Sequence, residues 1–254
     1  MTLAHSLTIL YFVQMVYGDG DGVVFTNLAQ DLTVVCHELT HAVVQYTAGL
    51  RYFKESGALN EGFADIMGAS ADIFNHTNCI YENQWQIGYQ CYADGALRYM
   101  NNPTQDGASY DYYPERYTGI LDNGGVHLNS GIANLAYVLA AQGGVHPRQK
   151  TVFWVQGVGL AKAEQIFYAA LSQYMLRTSD FLGTRFATEL AAEKLYTKTE
   201  VLSISKAWAA VGVGAEPAPP KPPPSPSPSP SPSPSPSASP APLARPGQSP
   251  KRMH

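Results

Sequence analysis

Apolar residues recur at helical spacing along six stretches of the chain, and polar or glycine-rich segments separate them. The first stretch has Asp31 near its start and Thr47-Ala48-Gly49 at its end. A turn at Ser56-Gly57 precedes the second stretch. The patterns predict helices over residues 28–46, 58–74, 129–141, 160–176, 181–196 and 203–211.

The last three predicted helices are amphipathic, which predicts a helical lobe that buries its own apolar faces. We interpret these helices as scaffold. Their predicted inner faces consist of Ala163, Ile166, Phe167, Ala170, Leu171 and Tyr174, then Phe186, Leu190 and Leu195, and finally Ile204 and Trp208.

Residues 75–126 are rich in Asn, Gly, Tyr, Asp and Pro and lack sustained periodicity. Because so long a loop is uncommon in a compact domain unless it is functional, we expect it to form one wall of a cleft.

Residues 17–22 (YGDGDG) predict a turn after a strand. The apolar run 7–16 is interpreted as a buried strand or a wrongly assigned start. The run also resembles a signal-peptide core, but no basic residue precedes it and no small-residue cleavage site follows it, so the other two interpretations are at least as good.

The chain has 254 residues, of which 45% are hydrophobic and 14% are charged, and its net charge is −4. This length suffices for one substantial core or for two packed lobes that share a cleft. A mildly acidic chain without a basic run argues against nucleic acid or an anionic membrane as the partner. No apolar run is long enough to predict a transmembrane helix.

From Glu216 onward the composition changes abruptly to Pro, Ser and Ala, with uninterrupted Ser-Pro alternation over residues 225–236. Such a segment cannot form a helix or a central strand, and it predicts an extended polyproline-II rod. It resembles the hydroxyproline-rich segments of plant and algal cell-wall glycoproteins. That resemblance implies a secreted protein in the extracellular or cell-wall matrix.

The strongest chemical signal is the segment His37-Glu38-Leu39-Thr40-His41 within the first predicted helix. A helix places residues i and i+4 on one face, which is the separation that two ligands of a tetrahedral zinc ion need. Glu38 then lies beside the open coordination position, where it can act as general base toward a metal-activated water.

Glu61, in the second predicted helix, is the natural third ligand, and Asp65 lies four residues later on the same face. Asp65 could accept the second N–H of a ligating histidine. The pentapeptide alone could also be a core helix with a buried polar pair, but the second helix makes a metal site the better interpretation. We hypothesise a zinc peptidase with His37, His41 and Glu61 as ligands.

Three cysteines are present, and two of them, Cys79 and Cys91, enclose a short polar loop. This spacing favours a disulfide between the pair in a secreted protein. Cys36 lies in an apolar run directly before His37, where a small buried thiol is a better interpretation than a fourth zinc ligand.

Further motifs occur around this pattern, over residues 14–22 (QMVYGDGDG), 35–43 (VCHELTHAV), 46–50 (YTAGL), 57–61 (GALNE), 116–119 (RYTG), 122–127 (DNGGVH), 129–131 (NSG) and 210–213 (AVGV). In this order they resemble the thermolysin family of secreted neutral metallopeptidases, over roughly residues 14–214. The resemblance implies a zinc endopeptidase that acts on proteins or peptides.

The resemblance also implies a role for each matching residue. His37, His41 and Glu61 are similar to the zinc ligands, Glu38 to the catalytic base, Asp65 and Asn60 to the partners of the ligating histidines, Tyr52 and His127 to the donors that stabilise the oxyanion, Asp122 to the residue that orients His127, and Arg98 to the arginine that holds the substrate carbonyl next to the scissile bond.

The chain departs from the family pattern in two ways. The family has a β-rich domain before the YGDGDG loop, whereas only thirteen residues precede the match here, so we expect that domain to be largely missing. The paired calcium site is poorly kept, because Asp72 alone remains where carboxylates are expected. The other positions hold Thr33, Gln84, Gln86 and Tyr89.

Two hypotheses follow: a zinc endopeptidase with Glu38 as general base, and a non-catalytic extracellular wall glycoprotein that retains the zinc-binding fold. The expected fold class is α+β, mainly α, with a zinc helix pair and a C-terminal helical lobe. The expected divisions are an unmatched apolar lead (1–13), a zinc-binding catalytic half (14–128), the helical lobe (129–214) and a disordered Pro/Ser-rich tail (215–254). Zinc is the expected cofactor, and a need for calcium is left open.

Overall fold

The computed structural model describes residues 7–9, 14–76 and 81–218. The predicted polyproline-II segment at 225–236 and Cys79 therefore lie outside the described residues. The elements in chain order are β1 (Leu7–Ile9), β2 (Gln14–Val16), α1 (Leu32–Tyr46), α2 (Lys54–Asn75), β3 (Gln86–Ile87), β4 (Arg98–Tyr99), α3 (Asp122–Gln142), α4 (Leu160–Ala169), α5 (Phe181–Leu195) and α6 (Lys198–Ala210).

Helices dominate the described residues, and the strands form two small antiparallel pairs. Strand β1 pairs with β2 in the register Leu7 to Val16, and β3 pairs with β4 in the register Gln86 to Tyr99. The mainly helical prediction is confirmed. The expected buried strand over residues 7–16 is wrong for β2, because Gln14 and Val16 are exposed.

Asp31 sets the start of α1. Its carboxylate accepts a hydrogen bond from the backbone N–H of Thr33, so it caps the helix, and a short 3-10 turn over Leu28–Gln30 precedes it. The helix therefore begins at Leu32, four residues later than predicted, because the cap separates the 3-10 turn from the regular helix.

Helix α2 begins at Lys54, before the Ser56-Gly57 pair that predicted a turn. The Ser56 hydroxyl donates to the Arg51 carbonyl over 2.7 Å, and this bond stabilises the first helical turn. A Cβ at Gly57 would lie 2.4 Å from a methyl group of Val126. The glycine therefore permits close contact between α2 and α3 rather than a turn.

The core lies around α2 and α3, which are buried on almost every side. Phe63 of α2 packs against Phe167 of α4, which in turn contacts Tyr137 of α3 and Trp208 of α6. Each of these four rings is fully buried. Full burial of a large apolar side chain stabilises a fold by about 1.5–3 kcal/mol, so this aromatic cluster joins the helices firmly.

The inner faces predicted for α4 and α6 are confirmed, except that Tyr174 is only partly buried. The face predicted for α5 is wrong: Phe186, Leu190 and Leu195 are exposed. Helix α5 instead buries Phe181 and its small residues, including Ala191 and Ala192. Alanines allow the backbone of α5 to approach α6 closely, so the large side chains are left on the solvent side.

The remaining helix boundaries also differ from prediction. The range of α3 begins at Asp122 rather than Asn129, although Asn123, Gly124 and Gly125 within it have non-helical backbone angles. Helix α6 begins at Lys198 rather than Ser203, because Thr197 and Glu200 form a capping box there. Helix α4 ends in a π-helical turn over Ala170–Tyr174. Among the described residues, no helix combines the length and apolar character needed to cross a membrane.

Candidate metal centre and active site

Helix α1 presents two imidazoles on one face, one turn apart. The Nε2 atoms of His37 and His41 lie 3.0 Å from each other, with the two rings at right angles. Both side chains are mostly buried, so the two nitrogens face a shared, sheltered point. This is the arrangement that the i, i+4 spacing predicts.

Glu61 of α2 completes a three-residue donor set. Its Oε2 lies 3.4 Å from Nε2 of His37, and its Oε1 lies 3.4 Å from Nε2 of His41. Ligand atoms at about 2.0–2.1 Å from a tetrahedral zinc are about 3.3 Å apart, so these separations fit zinc. Oε2 of Glu61 is also buried and has no hydrogen-bond partner among the described residues, as expected for an atom that awaits a cation.

The electrostatics of the donor set favour a cation. Burial acts to lower the pKa of His37, but the carboxylates of Asp65 and Glu61 outweigh it and raise that pKa to about 9. Burial and the neighbouring charge of His37 lower the pKa of His41. Burial acts to raise the pKa of Glu61, but His37 and its neighbours hold it well below the usual range. The environment of His37 is therefore strongly negative, which favours a bound cation.

Each histidine of this set is fixed through its second ring nitrogen. Nδ1 of His37 lies 2.8 Å from Oδ1 of Asp65, and Nδ1 of His41 lies 2.7 Å from Oδ1 of Asn60. Asn60 is held in turn by a bond from its amide to the Leu50 carbonyl over 3.2 Å. Because carbonyl and carboxylate oxygens only accept, Nδ1 carries a proton in both rings, and Nε2 is the nitrogen left to bind a metal, which would displace any proton there.

Arg98 reaches Asp65 from β4. Its Nε and Nη2 donate to the two carboxylate oxygens over 2.7 and 2.6 Å, a paired geometry. Burial acts to lower the pKa of Arg98, but the Asp65 charge raises it above the usual range. Arg98 also lines the cavity beside the candidate metal centre. Its contact with substrate, which the family resemblance implies, stays a prediction.

Tyr52, His127 and Asp122 form a chain of polar contacts on the open side of the centre. The Tyr52 hydroxyl donates a short hydrogen bond to Oε1 of Glu61 and lies 3.2 Å from Nε2 of His127. Nδ1 of His127 lies 2.6 Å from Oδ1 of Asp122, whose Oδ2 accepts the His127 backbone N–H over 2.7 Å. Asp122 thus fixes both the ring and the backbone of His127.

The backbone that carries Asp122 has an unusual conformation. The φ angles of Asp122, Asn123, Gly124 and Gly125 are 52°, 49°, 85° and 85°, so four consecutive residues lie in the left-handed region. This run curls the chain so that the Asp122 carboxylate meets the backbone of His127. The sequence motif DNGGVH therefore encodes a backbone shape as well as two functional side chains.

We expect Gly125→Ala to destabilise the protein by about 2–4 kcal/mol, from the left-handed conformation and from steric overlap. An added Cβ would lie 2.8 Å from Cδ1 of Tyr117 and 2.9 Å from the amide nitrogen of Asn129. Gly107→Ala is the matched control, because Gly107 has a φ of 78° with open space around it. Equal losses in chemical denaturation of the two variants would contradict the steric part of the argument.

Glu38 lies between the two histidines in sequence and lines a cavity of 260 Å³ next to them. The polar lining residues are His37, Glu38, Glu61, Arg98 and His127, and the apolar ones are Phe25, Leu28, Val34, Ile87 and Leu97. Ile87, Leu97 and Arg98 belong to the loop region predicted to form a cleft wall, and they do form part of this wall.

Sequence reasoning missed two parts of the site. The apolar lining of the cavity comes from separate segments, so no local pattern indicates it. Asn134 was also missed, although its amide donates to Oδ2 of Asp65 over 2.8 Å. The available signal was a lone asparagine inside the apolar run 132–141 of α3, where an amide needs a buried partner.

Comparison with protein families identifies the chain. Residues 48–213 match the profile of the thermolysin metallopeptidase alpha-helical domain, which is more than half of the chain, and residues 11–45 match the thermolysin metallopeptidase catalytic domain. The chain belongs to the thermolysin metallopeptidase family. This family is zinc-dependent, in agreement with the donor set of His37, His41 and Glu61.

The chain is 48% identical over 205 residues to a thermostable neutral protease of Geobacillus stearothermophilus, and 45% identical over 206 residues to neutral protease B of Bacillus subtilis. These alignments cover 78% and 79% of this chain, and it spans 36% of the length of each relative. Among solved structures, the precursor of protealysin, a metalloproteinase from Serratia proteamaculans, matches with a TM-score of 0.67 and 30% identity. That match covers 82% of this chain and 65% of the other.

The calcium site of the thermolysin family does not fit the residues present here. Calcium takes 6–8 oxygen ligands, among them several carboxylates. Oδ2 of Asp72 already accepts a short hydrogen bond from the Tyr81 hydroxyl and another from the Tyr89 hydroxyl over 3.2 Å. Gln84 adds one buried amide oxygen without a partner among the described residues. The hydroxyls of Tyr81 and Tyr89 thus already bind Asp72, the one carboxylate that remains of the family's calcium site.

Hydrogen bonds, without a metal, join the N-terminal end of α1 to the loop of residues 88–91, which includes Tyr89. Oδ1 of Asp31 accepts from the Thr33 backbone N–H and hydroxyl over 2.9 and 2.5 Å, and its Oδ2 accepts the Gln90 backbone N–H over 2.7 Å. The Thr33 hydroxyl also accepts the Gly88 backbone N–H over 2.9 Å. Among the described residues Cys91, in this loop, is a buried thiol and Cys36 is a half-buried one, with no disulfide between them. The disulfide predicted between Cys91 and Cys79 stays a prediction, because Cys79 lies outside the described residues.

We expect calcium to leave the melting temperature of the zinc-loaded protein unchanged, because hydrogen bonds already hold this loop. Differential scanning calorimetry with added CaCl₂, and with MgCl₂ as the ionic control, measures this. Tyr81→Phe should cost about 1–3 kcal/mol, because it removes a donor from the buried Asp72. A rise in melting temperature specific to calcium would contradict the prediction and point to Gln84 and Asp72 as ligands.

Proposed function

We propose that this chain is a zinc-dependent endopeptidase in which Glu38 acts as the general base. The observation that carries the proposal is the unpaired, buried Oε2 of Glu61, which faces the Nε2 of His37 beside a cavity lined by Glu38. When bound by His37, His41 and Glu61, zinc would supply Lewis-acid polarisation of an oxygen. The whole activity is a proposal because the chain spans 36% of its relatives' length.

The proton-transfer role falls to Glu38. Its carboxylate lies at the cavity beside the donor set and can accept a proton from the attacking water. Burial of Glu38 to 9% exposure limits competing solvent, which strengthens its interaction with charges that develop during the reaction.

Tyr52 and His127 are proposed to stabilise the oxyanion. Their polar atoms lie 3.2 Å apart beside Oε1 of Glu61, where a substrate oxygen could accept from both. Asp122 keeps the His127 ring in place through Nδ1, so Nε2 remains directed at the centre. Asp65 and Asn60 are proposed to orient the two ligating histidines.

The cavity suggests the class of substrate. Its aliphatic and phenylalanine lining favours a bulky apolar side chain, and Arg98 on the same wall can hold a neighbouring peptide carbonyl. We therefore propose cleavage on the N-terminal side of large apolar residues in proteins or peptides. The Ser-Pro alternation over residues 225–236 supports a secreted protein with association to an extracellular or cell-wall matrix.

The division into catalytic half, helical lobe and tail stays a prediction. The alternative, a non-catalytic wall glycoprotein that retains the fold, differs from the enzyme only in catalysis. Both hypotheses predict bound zinc.

The test is to measure the zinc content of the purified chain and its cleavage of internally quenched peptides that differ only in the residue after the scissile bond. One zinc per chain with preference for Leu or Phe over Gly and Asp would support the proposal. Stoichiometric zinc without cleavage would reject it in favour of the non-catalytic protein. Absence of zinc would reject both.

A further inference from the structure

We propose that Asn134 is a positioning residue of the metal centre, which acts through Asp65 on the zinc ligand His37. This inference rests on the proposed zinc site of His37, His41 and Glu61. Asn134 belongs to α3, which contributes no zinc ligand, and its side chain is 1% exposed.

Asp65 is the point through which Asn134 acts. The Asp65 carboxylate is fully buried and accepts four hydrogen bonds, two at each oxygen. Oδ1 accepts from His37 and Arg98, whereas Oδ2 accepts from Arg98 and from the amide of Asn134. A carboxylate has about four lone-pair positions, so all of them are occupied and its orientation is fully determined.

The Asn134 amide supplies a donor that a second cation could not replace. Arg98 already matches the single charge of Asp65 with a paired contact. A further cation would draw the Asp65 charge away from His37 and lower the basicity of that ligand. A neutral amide fixes Oδ2 while it leaves more of the charge for the Asp65–His37 bond.

The other half of the Asn134 side chain adds nothing to stability. Its Oδ1 is buried and has no hydrogen-bond partner among the described residues. An unpaired buried acceptor is destabilising, and leucine has the same branching without the unpaired atom. The single bond to Asp65 is therefore the contribution that distinguishes asparagine from leucine here.

Asn134 also links two parts of the site. His127 lies seven residues earlier on α3, which is about two helical turns, so both residues fall on the same side of the helix. The bond from Asn134 to Asp65 sets the position of α3 relative to α2 at the metal centre. It therefore helps to fix the distance between His127 and the zinc ligands.

The test compares Asn134→Leu with the unchanged chain by two measurements: the zinc dissociation constant, from competition with a chromophoric chelator, and the melting temperature of the zinc-free protein. We expect zinc affinity to fall by about 10-fold, at the lower end for partners of metal ligands. We expect the zinc-free melting temperature to fall as well, because Asn134→Leu removes a donor from the buried Asp65 carboxylate, so zinc affinity is the measurement that distinguishes a positioning role. Asn134→Ala, which only removes atoms, provides a second variant with the same expected loss of zinc affinity.

Tyr137→Phe is the matched control. Tyr137 lies three residues further along α3, and its hydroxyl bonds to the Ser70 hydroxyl of α2 over 2.8 Å, without contact to Asp65. This variant should lower the zinc-free melting temperature and leave zinc affinity unchanged.

Unchanged zinc affinity in both Asn134 variants would overturn the proposal, and so would a loss of affinity no larger than that of Tyr137→Phe. If the unchanged chain binds no zinc, the proposed function and this inference both fail. If it binds zinc and the Asn134 variants bind equally well, only this inference fails.

Discussion

Glu38→Gln is expected to slow peptide hydrolysis by about 10²–10⁴-fold while zinc content stays at that of the unchanged chain. Glutamine keeps the size and the hydrogen-bonding oxygen of the side chain but cannot accept the proton of the attacking water. The three donors His37, His41 and Glu61 are untouched, so metal binding should persist. Single-turnover cleavage of a quenched peptide and metal analysis of the same sample measure the two quantities.

Glu193→Gln provides the control for this substitution, because Glu193 is an exposed glutamate on α5. It removes the same charge from the chain and should leave hydrolysis unchanged. Cleavage by Glu38→Gln at the rate of the control would assign the base to another residue. A parallel loss of zinc in Glu38→Gln would mean that Glu38 supports the metal rather than the proton transfer.

Asp65→Leu is expected to destabilise the protein by about 3–5 kcal/mol and to weaken zinc binding by about 10–100-fold. The substitution leaves the Arg98 guanidinium without its carboxylate. This is costly because only 18% of the Arg98 side chain is exposed, so water cannot fully replace the lost partner. It also removes the acceptor that fixes Nδ1 of His37. Urea unfolding of the zinc-free protein and chelator competition measure the two effects separately.

The double variant Asp65→Leu with Arg98→Met separates charge burial from metal orientation. Replacement of a buried ion pair by apolar residues is often close to neutral, so the double variant should recover much of the lost stability. Its zinc affinity should stay low, because His37 still lacks its partner. Equal stability of the single and double variants would show that the unpaired Arg98 charge is not the cause of the loss.

Short-range spacing was sufficient to predict the candidate donor set. His37 and His41 are four residues apart, and helical geometry alone then places their rings together. Glu61 and Asp65 repeat this spacing on the second helix, so the prediction needed only that the two helices meet. The structure brings these four side chains together, with Glu61 within 3.4 Å of both imidazole nitrogens.

The parts that failed depend on contacts between segments distant in sequence. Ser56-Gly57 predicted a turn, but the glycine makes room for Val126, which lies some seventy residues later in the chain. Phe186 and Leu190 on α5 follow helical spacing as well as any core residue, yet the alanine face of that helix is buried instead. Asn134 stands within an apolar run, and only the packing of α3 on α2 shows that it meets Asp65.

The attachment of Tyr81 and Tyr89 to Asp72 determines how alkali affects the loop. Burial and the bond to Asp72 raise the pKa of Tyr81 above its usual range, and burial raises that of Tyr89. A phenol whose pKa is higher in the folded state stabilises the fold below about pH 10, its unfolded pKa, and this contribution is lost as pH rises through the folded value. Strong alkali, which ionises these phenols, should therefore loosen this loop where chelators would not.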